Sequence, residues 1–135
     1  MKRVTISTNA YRFTVALAVV VLTLWANSAH AHAALLKSSP ARRSSVTQSP
    51  AEVRLWFSED LEPSYASVWV VDAAGQRLPT GPAAVDDKDK TVLSVPMRPI
   101  GPGVYTVHYR VVSVDGHVVE SGFIFTVTPN PEAPR

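Results

Sequence analysis

The sequence predicts an all-β domain, a sandwich or small Greek-key barrel of six or seven strands. Three observations carry this. Short runs rich in Val, Thr and aromatic residues alternate apolar and polar positions. Pro, Gly, Ser and Asp separate these runs at hairpin-like spacing. No stretch past the N-terminal segment sustains the 3.6-residue apolar period of a helix.

Taken in order, residues 1–31 have the three zones of a secretory signal. Lys2, Arg3 and Arg12 supply a positive start, "FTVALAVVVLTLW" (13–25) an uncharged apolar run, and small residues the cleavage region. The run is shorter than the roughly 20 apolar residues that span a bilayer, which favours a cleaved signal over an anchor. Two cuts fit the small-x-small rule: after Ala31, making His32 the new N-terminus, or after Ala33, destroying it. The residues alone leave both open.

The strands follow. "EVRLWF" (52–57) puts Val53, Leu55 and Phe57 on one face of an extended chain, and "SVWVVD" (67–72) is β-branched and aromatic. "GQRLPTGP" is turn and loop, and "DDKDK" (86–90) a solvated loop. "TVLSV" (91–95) is a strand closed by Pro96 and Pro99. In "GPGVYTVHYRVVSV", Tyr105, Val107, Tyr109 and Val111 face one way and Thr106, His108 and Arg110 the other. "FIFTVT" closes the domain with Phe123, Phe125 and Val127 on one face. The domain therefore runs from 32 to 128, and 129–135 ("PNPEAPR") is a tail with little to bury.

Composition excludes several function classes. The chain carries 13 Lys+Arg and 11 Asp+Glu. Three of the basic residues and none of the acidic ones lie in the signal, so the mature 104 residues have 10 basic against 11 acidic side chains. That balance gives no electrostatic case for nucleic acid. The absence of cysteine removes thiolate metal sites, CxxC redox chemistry and cysteine nucleophiles.

Histidine is scarce, and its placement is informative. His30 leaves with the signal, and His108 lies on the polar face of a strand as an ordinary half-exposed side chain. His117 follows Asp115 by two residues in "SVDGHVV". If that segment is extended, both side chains leave one face, with Cα atoms about 6–7 Å apart. Asp-Gly is also a hairpin signal, so the triplet reads first as a turn and second as a ligand pair. His32 raises the second reading. At a free N-terminus its amine and ring Nδ1 chelate one metal. With a His117 nitrogen and an Asp115 oxygen the set is three nitrogens and one oxygen, which suits tetragonal copper(II); zinc, which prefers a tetrahedron, competes. The amine must lose its proton to bind, so binding weakens as pH falls.

"HAALLKSSPA" (32–41), "LWFSE" (55–59) and "GVYTVHYRVVSVDGHVVESGFIFTV" (103–127) resemble the CopC family of exported copper-binding proteins, and the similarity covers nearly all of the mature chain. The resemblance implies a seven-stranded, Greek-key, cupredoxin-like fold, related in outline to the immunoglobulin sandwich. It implies a cut after Ala31 and a copper(II) site of His32, Asp115 and His117, with Glu59 of "FSE" as an axial group or an orienting carboxylate beside the ligands. Some relatives hold copper(I) in a methionine-rich loop. Here the mature chain has only Met97, a single soft ligand better suited to filling a core gap.

Three functions follow as expectations. The first is a monomeric carrier or buffer for copper(II) in the periplasm or cell envelope, serving copper homeostasis or resistance, or delivery to an inner-membrane transporter. The second is a copper oxygenase built on a terminal-histidine brace; Asp115 in the metal plane argues against it, as does the lack of a flat aromatic face beyond Trp56 and Trp69. The third is a metal-free immunoglobulin-like structural domain. No nucleophile or paired-carboxylate motif supports a hydrolase.

Overall fold

The computed structural model describes residues 32–131. The expected signal, its cleavage site and the end of the expected tail lie outside them. Eight strands form in chain order: β1 (Leu35–Ser39), β2 (Ser45–Val46), β3 (Glu52–Phe57), β4 (Ser67–Val71), β5 (Ala84–Val85), β6 (Val92–Pro96), β7 (Gly103–Val112) and β8 (Val118–Val127). β2 and β5 are two residues long, and one 3-10 turn (Pro63–Tyr65) precedes β4.

The strands make two four-stranded sheets, ordered β1-β3-β6-β5 and β2-β8-β7-β4. All pairings are antiparallel except β2 with β8. Every connection other than β5–β6 and β7–β8 passes from one sheet to the other, as a Greek-key sandwich requires.

The period-two pattern explains why these segments pair as they do. Val53, Leu55 and Phe57 of β3, Val68 and Val70 of β4, the odd residues Tyr105–Val111 of β7, and Phe123, Phe125 and Val127 of β8 all point into one core. Each fully buried aliphatic side chain there contributes about 1.5–3 kcal/mol of burial free energy. Shifting any of these strands by one residue would turn its apolar set to water, so burial also fixes the register. Met97 packs partly buried against this core, the gap-filling place expected of it.

The outward positions carry Trp56 and Trp69, the two tryptophans among the described residues, on opposite sheets. Trp56 lies under Lys37, whose Nζ is 4.7 Å from the ring centre. Trp69 stacks on His108, its cross-strand partner, at 5.5 Å and 15°, with the Arg77 guanidinium 4.8 Å from the same ring. The two indoles therefore belong to separate faces, each screened by cationic or imidazole neighbours.

Gly122, opposite His108 on β8, is required by close approach. A Cβ there would lie 2.7 Å from the Val107 carbonyl oxygen and 3.2 Å from His108 Nδ1.

Candidate metal centre

One end of the sandwich gathers three segments: the start of the domain (32–34), the chain after β3 (58–61), and the β7–β8 turn (113–117). Ala33 is fully buried in the core and anchors the first of them. Ser58 then holds the residues on both sides of Ala33. Its N–H donates to the Ala34 carbonyl at 2.9 Å. Its Oγ accepts from the Ala34 N–H at 2.9 Å and donates to the His32 carbonyl at 3.3 Å. The second and third segments join through the Leu61–Ser113 bridge and through Val114 N–H donating to Asp60 O at 3.1 Å.

The β7–β8 connection is a turn rather than the extended segment that would put Asp115 and His117 on one face. Gly116 takes φ 90°, a left-handed conformation that L side chains rarely adopt. Ser113 N–H donates to His117 O at 3.0 Å, and Gly116 N–H to Ser113 O at 2.8 Å. The turn nevertheless brings the two side chains together: His117 Nδ1 lies 3.0 Å from Asp115 Oδ2. The hairpin and the ligand pair, alternatives in the sequence, coexist because the turn itself makes the pair converge.

Asp115 is held from several directions. Its Oδ1 accepts from the Ser113 hydroxyl and, at 3.3 Å, from the His117 N–H. Ser113 donation first, and the His117 ring second, hold the Asp115 carboxyl down at about 2. The group is thus an anion throughout the physiological range, ready to meet a cation without releasing a proton.

The His32 and His117 rings face each other with centroids 5.0 Å apart and planes at 46°. A metal bonded to one nitrogen of each ring sits roughly 3 Å from each centroid, so ligating rings fall within about 6 Å of one another. The observed spacing satisfies that. Likewise, donors 3.0 Å apart, each bonded at roughly 2.0 Å, subtend about 97° at a shared ion. That angle matches adjacent positions of a tetragonal plane. Among the described residues no group of three or more His, Asp or Glu side chains converges as a ready-made cage; the donors meet instead as two pairs that share His117.

Glu59 is half-buried and directly follows Ser58 at the same end, but neither pair includes it. His108 stands outside the cluster, stacked on Trp69 on an outer sheet face. Ser58 and Ser113 are the site residues that sequence reasoning does not single out. Their only signals are position: Ser58 precedes the Glu of "FSE", and Ser113 stands two residues before the Asp of "DGH", an offset at which a hydroxyl can cap a turn.

Comparison with known proteins gives the family of the chain. A family model described as the CopC domain matches residues 35–128. Protein YobA of Escherichia coli K12 is 35% identical over 113 residues, covering 83% of this chain and 91% of that protein. Copper resistance protein C of Xanthomonas campestris pv. juglandis is 34% identical over 115 residues, covering 81% and 90%. The crystal structure of CopC from Methylosinus trichosporium OB3b superposes with a TM-score of 0.71 at 33% identity, covering 76% of this chain and all of that one. With a domain match over most of its length and relatives at this identity, the chain belongs to the CopC family.

Proposed function

We propose that this protein binds copper(II) as cargo at the His32, Asp115 and His117 end of the sandwich and serves as a carrier or buffer in copper resistance and homeostasis. The observation that carries the reading is the shared position of His117, with its Nδ1 3.0 Å from a carboxylate oxygen and its ring 5.0 Å from that of His32. Family membership and a relative named for copper resistance support the metal. The donor set supports the oxidation state: imidazoles, a carboxylate and a terminal amine are hard or borderline, whereas copper(I) selects thiolates and thioethers.

In this reading export and cleavage after Ala31 free the His32 amine in the periplasm or cell envelope. The amine and ring of His32 take two positions of the metal plane, and His117 and Asp115 take the other two. Glu59 contributes as an axial group or an orienting carboxylate. The protein acts as a monomer, and an inner-membrane copper transporter receives the ion. The test is titration of the chain beginning at His32 with copper(II) against a competing chelator. One tightly bound equivalent, with the electron paramagnetic resonance signal of a tetragonal nitrogen–oxygen site, supports the function. A chain that binds no copper(II) under these conditions, or that turns over oxygen with a reductant, overturns it.

A further inference from the structure

We propose that Ser58 and Ser113 are the positioning residues of this centre, one for each arm, and that the affinity of the site for copper(II) depends on both hydroxyls. The proposal rests on the His32–Asp115–His117 reading and concerns how that site is held before the metal arrives.

The two arms differ in what fixes them. His32 is exposed at the start of the described chain. Its attachment to Ala33, fully buried, and the bonds made by Ser58 tie its backbone down, with its ring facing that of His117. The Ser58 hydroxyl uses its lone pair on the Ala34 N–H and its proton on the His32 carbonyl, at 2.9 and 3.3 Å. These bonds grip the peptide groups flanking Ala33 and so limit the directions in which the His32 ring and amine can point. Ser58 is itself exposed, so the core does not need it, and its side chain fills no apolar gap.

The other arm is held from inside. Ser113 is 0% exposed, although its hydroxyl is polar. A buried hydroxyl must find a partner. This one donates to Asp115 Oδ1, the oxygen that does not face the His117 ring, and lies 3.3 Å from the His117 carbonyl. Tying Oδ1 to the turn leaves Oδ2 directed at His117 Nδ1. Without the hydroxyl, Oδ1 keeps the longer bond from the His117 N–H, and the Asp115 side chain is freer to turn away from the ring, which loosens the donor pair. Outer partners of this kind, which orient ligands without touching the ion, typically change metal affinity by about 10–100-fold.

A double-mutant design separates positioning from a general loss of structure. Copper(II) affinity is measured by chelator competition for the chain beginning at His32, for Ser58→Ala and Ser113→Ala, and for each substitution in a background lacking its arm. For Ser58 that background is a chain beginning at Ala33; for Ser113 it is Asp115→Ala. Each serine substitution is expected to weaken binding about 10–100-fold in the intact site and about threefold or less in its own background. Ser58→Thr, which keeps the hydroxyl at an exposed position, restores the affinity. Thermal melts of the metal-free proteins report folding, and if Ser113→Ala does not fold, the Ser58 measurements decide the outcome.

Equal losses in the intact and armless backgrounds, or losses within threefold in the intact site, overturn the proposal while leaving the metal centre standing. A parent chain whose affinity is unchanged by removing His32 and by Asp115→Ala overturns the centre itself, and the two failures are thereby distinguished.

Discussion

Replacing Asp115 by Asn removes the negative charge while keeping the shape and an oxygen able to accept from Ser113. Two effects follow from the structure. First, the Asp115 Oδ2–His117 Nδ1 pair, 3.0 Å apart, loses its anionic half, and with it one donor of the pair that subtends a right angle at the ion. The expected loss of copper(II) affinity at neutral pH is at least the roughly 10–100-fold seen for orienting partners. Second, the metal-free protein loses a carboxylate whose folded-state value sits at about 2, below the ordinary 3.8, chiefly through Ser113 and then through the His117 ring. A depressed carboxyl contributes stability that is fully present above its unfolded value and disappears as pH falls through its folded one. The stability gap between parent and Asp115→Asn therefore narrows as pH falls from about 4 to 2. Chemical denaturation of both metal-free proteins across this range, with chelator competition at pH 7, measures both effects. A gap that does not narrow between about pH 4 and 2, or an affinity within twofold of the parent, would refute the reasoning.

Other perturbations have equally definite outcomes. His117→Ala, measured by chelator competition, abolishes tight copper(II) binding. His108→Ala leaves affinity unchanged and, by removing the Trp69 stack, lowers stability by about 0.5–1.5 kcal/mol in denaturant titration. Gly122→Ala drives a methyl to 2.7 Å from the Val107 carbonyl oxygen; separating β7 from β8 to admit it costs about 1–3 kcal/mol, read as a lower melting temperature. In competition with a chromophoric copper(I) chelator the chain beginning at His32 retains no copper(I), because Met97 packs against the core with no second thioether in residues 32–135.

The long strands were legible because each packs one face on a shared core, and burial writes a period of two into the sequence. β3, β4 and β7 show it throughout and β8 in its second half, whereas β6 buries the adjacent Val92 and Leu93. β1 lacks it: its burial pattern leaves Leu36 63% exposed and buries Ser38, and its register with β3 shifts between Leu35 and Lys37. An irregular edge strand has no alternation to read. β2 and β5, at two residues each, are set by partners distant in sequence rather than by local pattern.

The candidate site was legible in its proposed donors and not in its support. His32, Asp115 and His117 stood out because histidine is scarce and one of them follows a segment patterned like a signal. Their convergence depends on a turn whose Gly116 conformation and Ser113 bonds bring Asp115 and His117 together, where a strand would have held them several ångströms apart. Ser58 and Ser113 were invisible because a serine that clamps a backbone looks like any other serine until the chain is folded. Glu59 was suggested by motif alone, and folding places it at the same end as the proposed donors without bringing it into either pair.

The central claim is that a free amine at His32 turns the end of a stable sandwich into a copper(II) chelate. Comparing the chain that begins at His32 with one carrying a single Met before it tests this most directly, since every side chain is retained and only the amine becomes a peptide nitrogen. Chelator competition and electron paramagnetic resonance on the two proteins should give a large loss of copper(II) affinity and a changed spectrum in the Met-extended form. Equal affinities and superimposable spectra would contradict the account, because the terminal amine would then take no part in holding the metal.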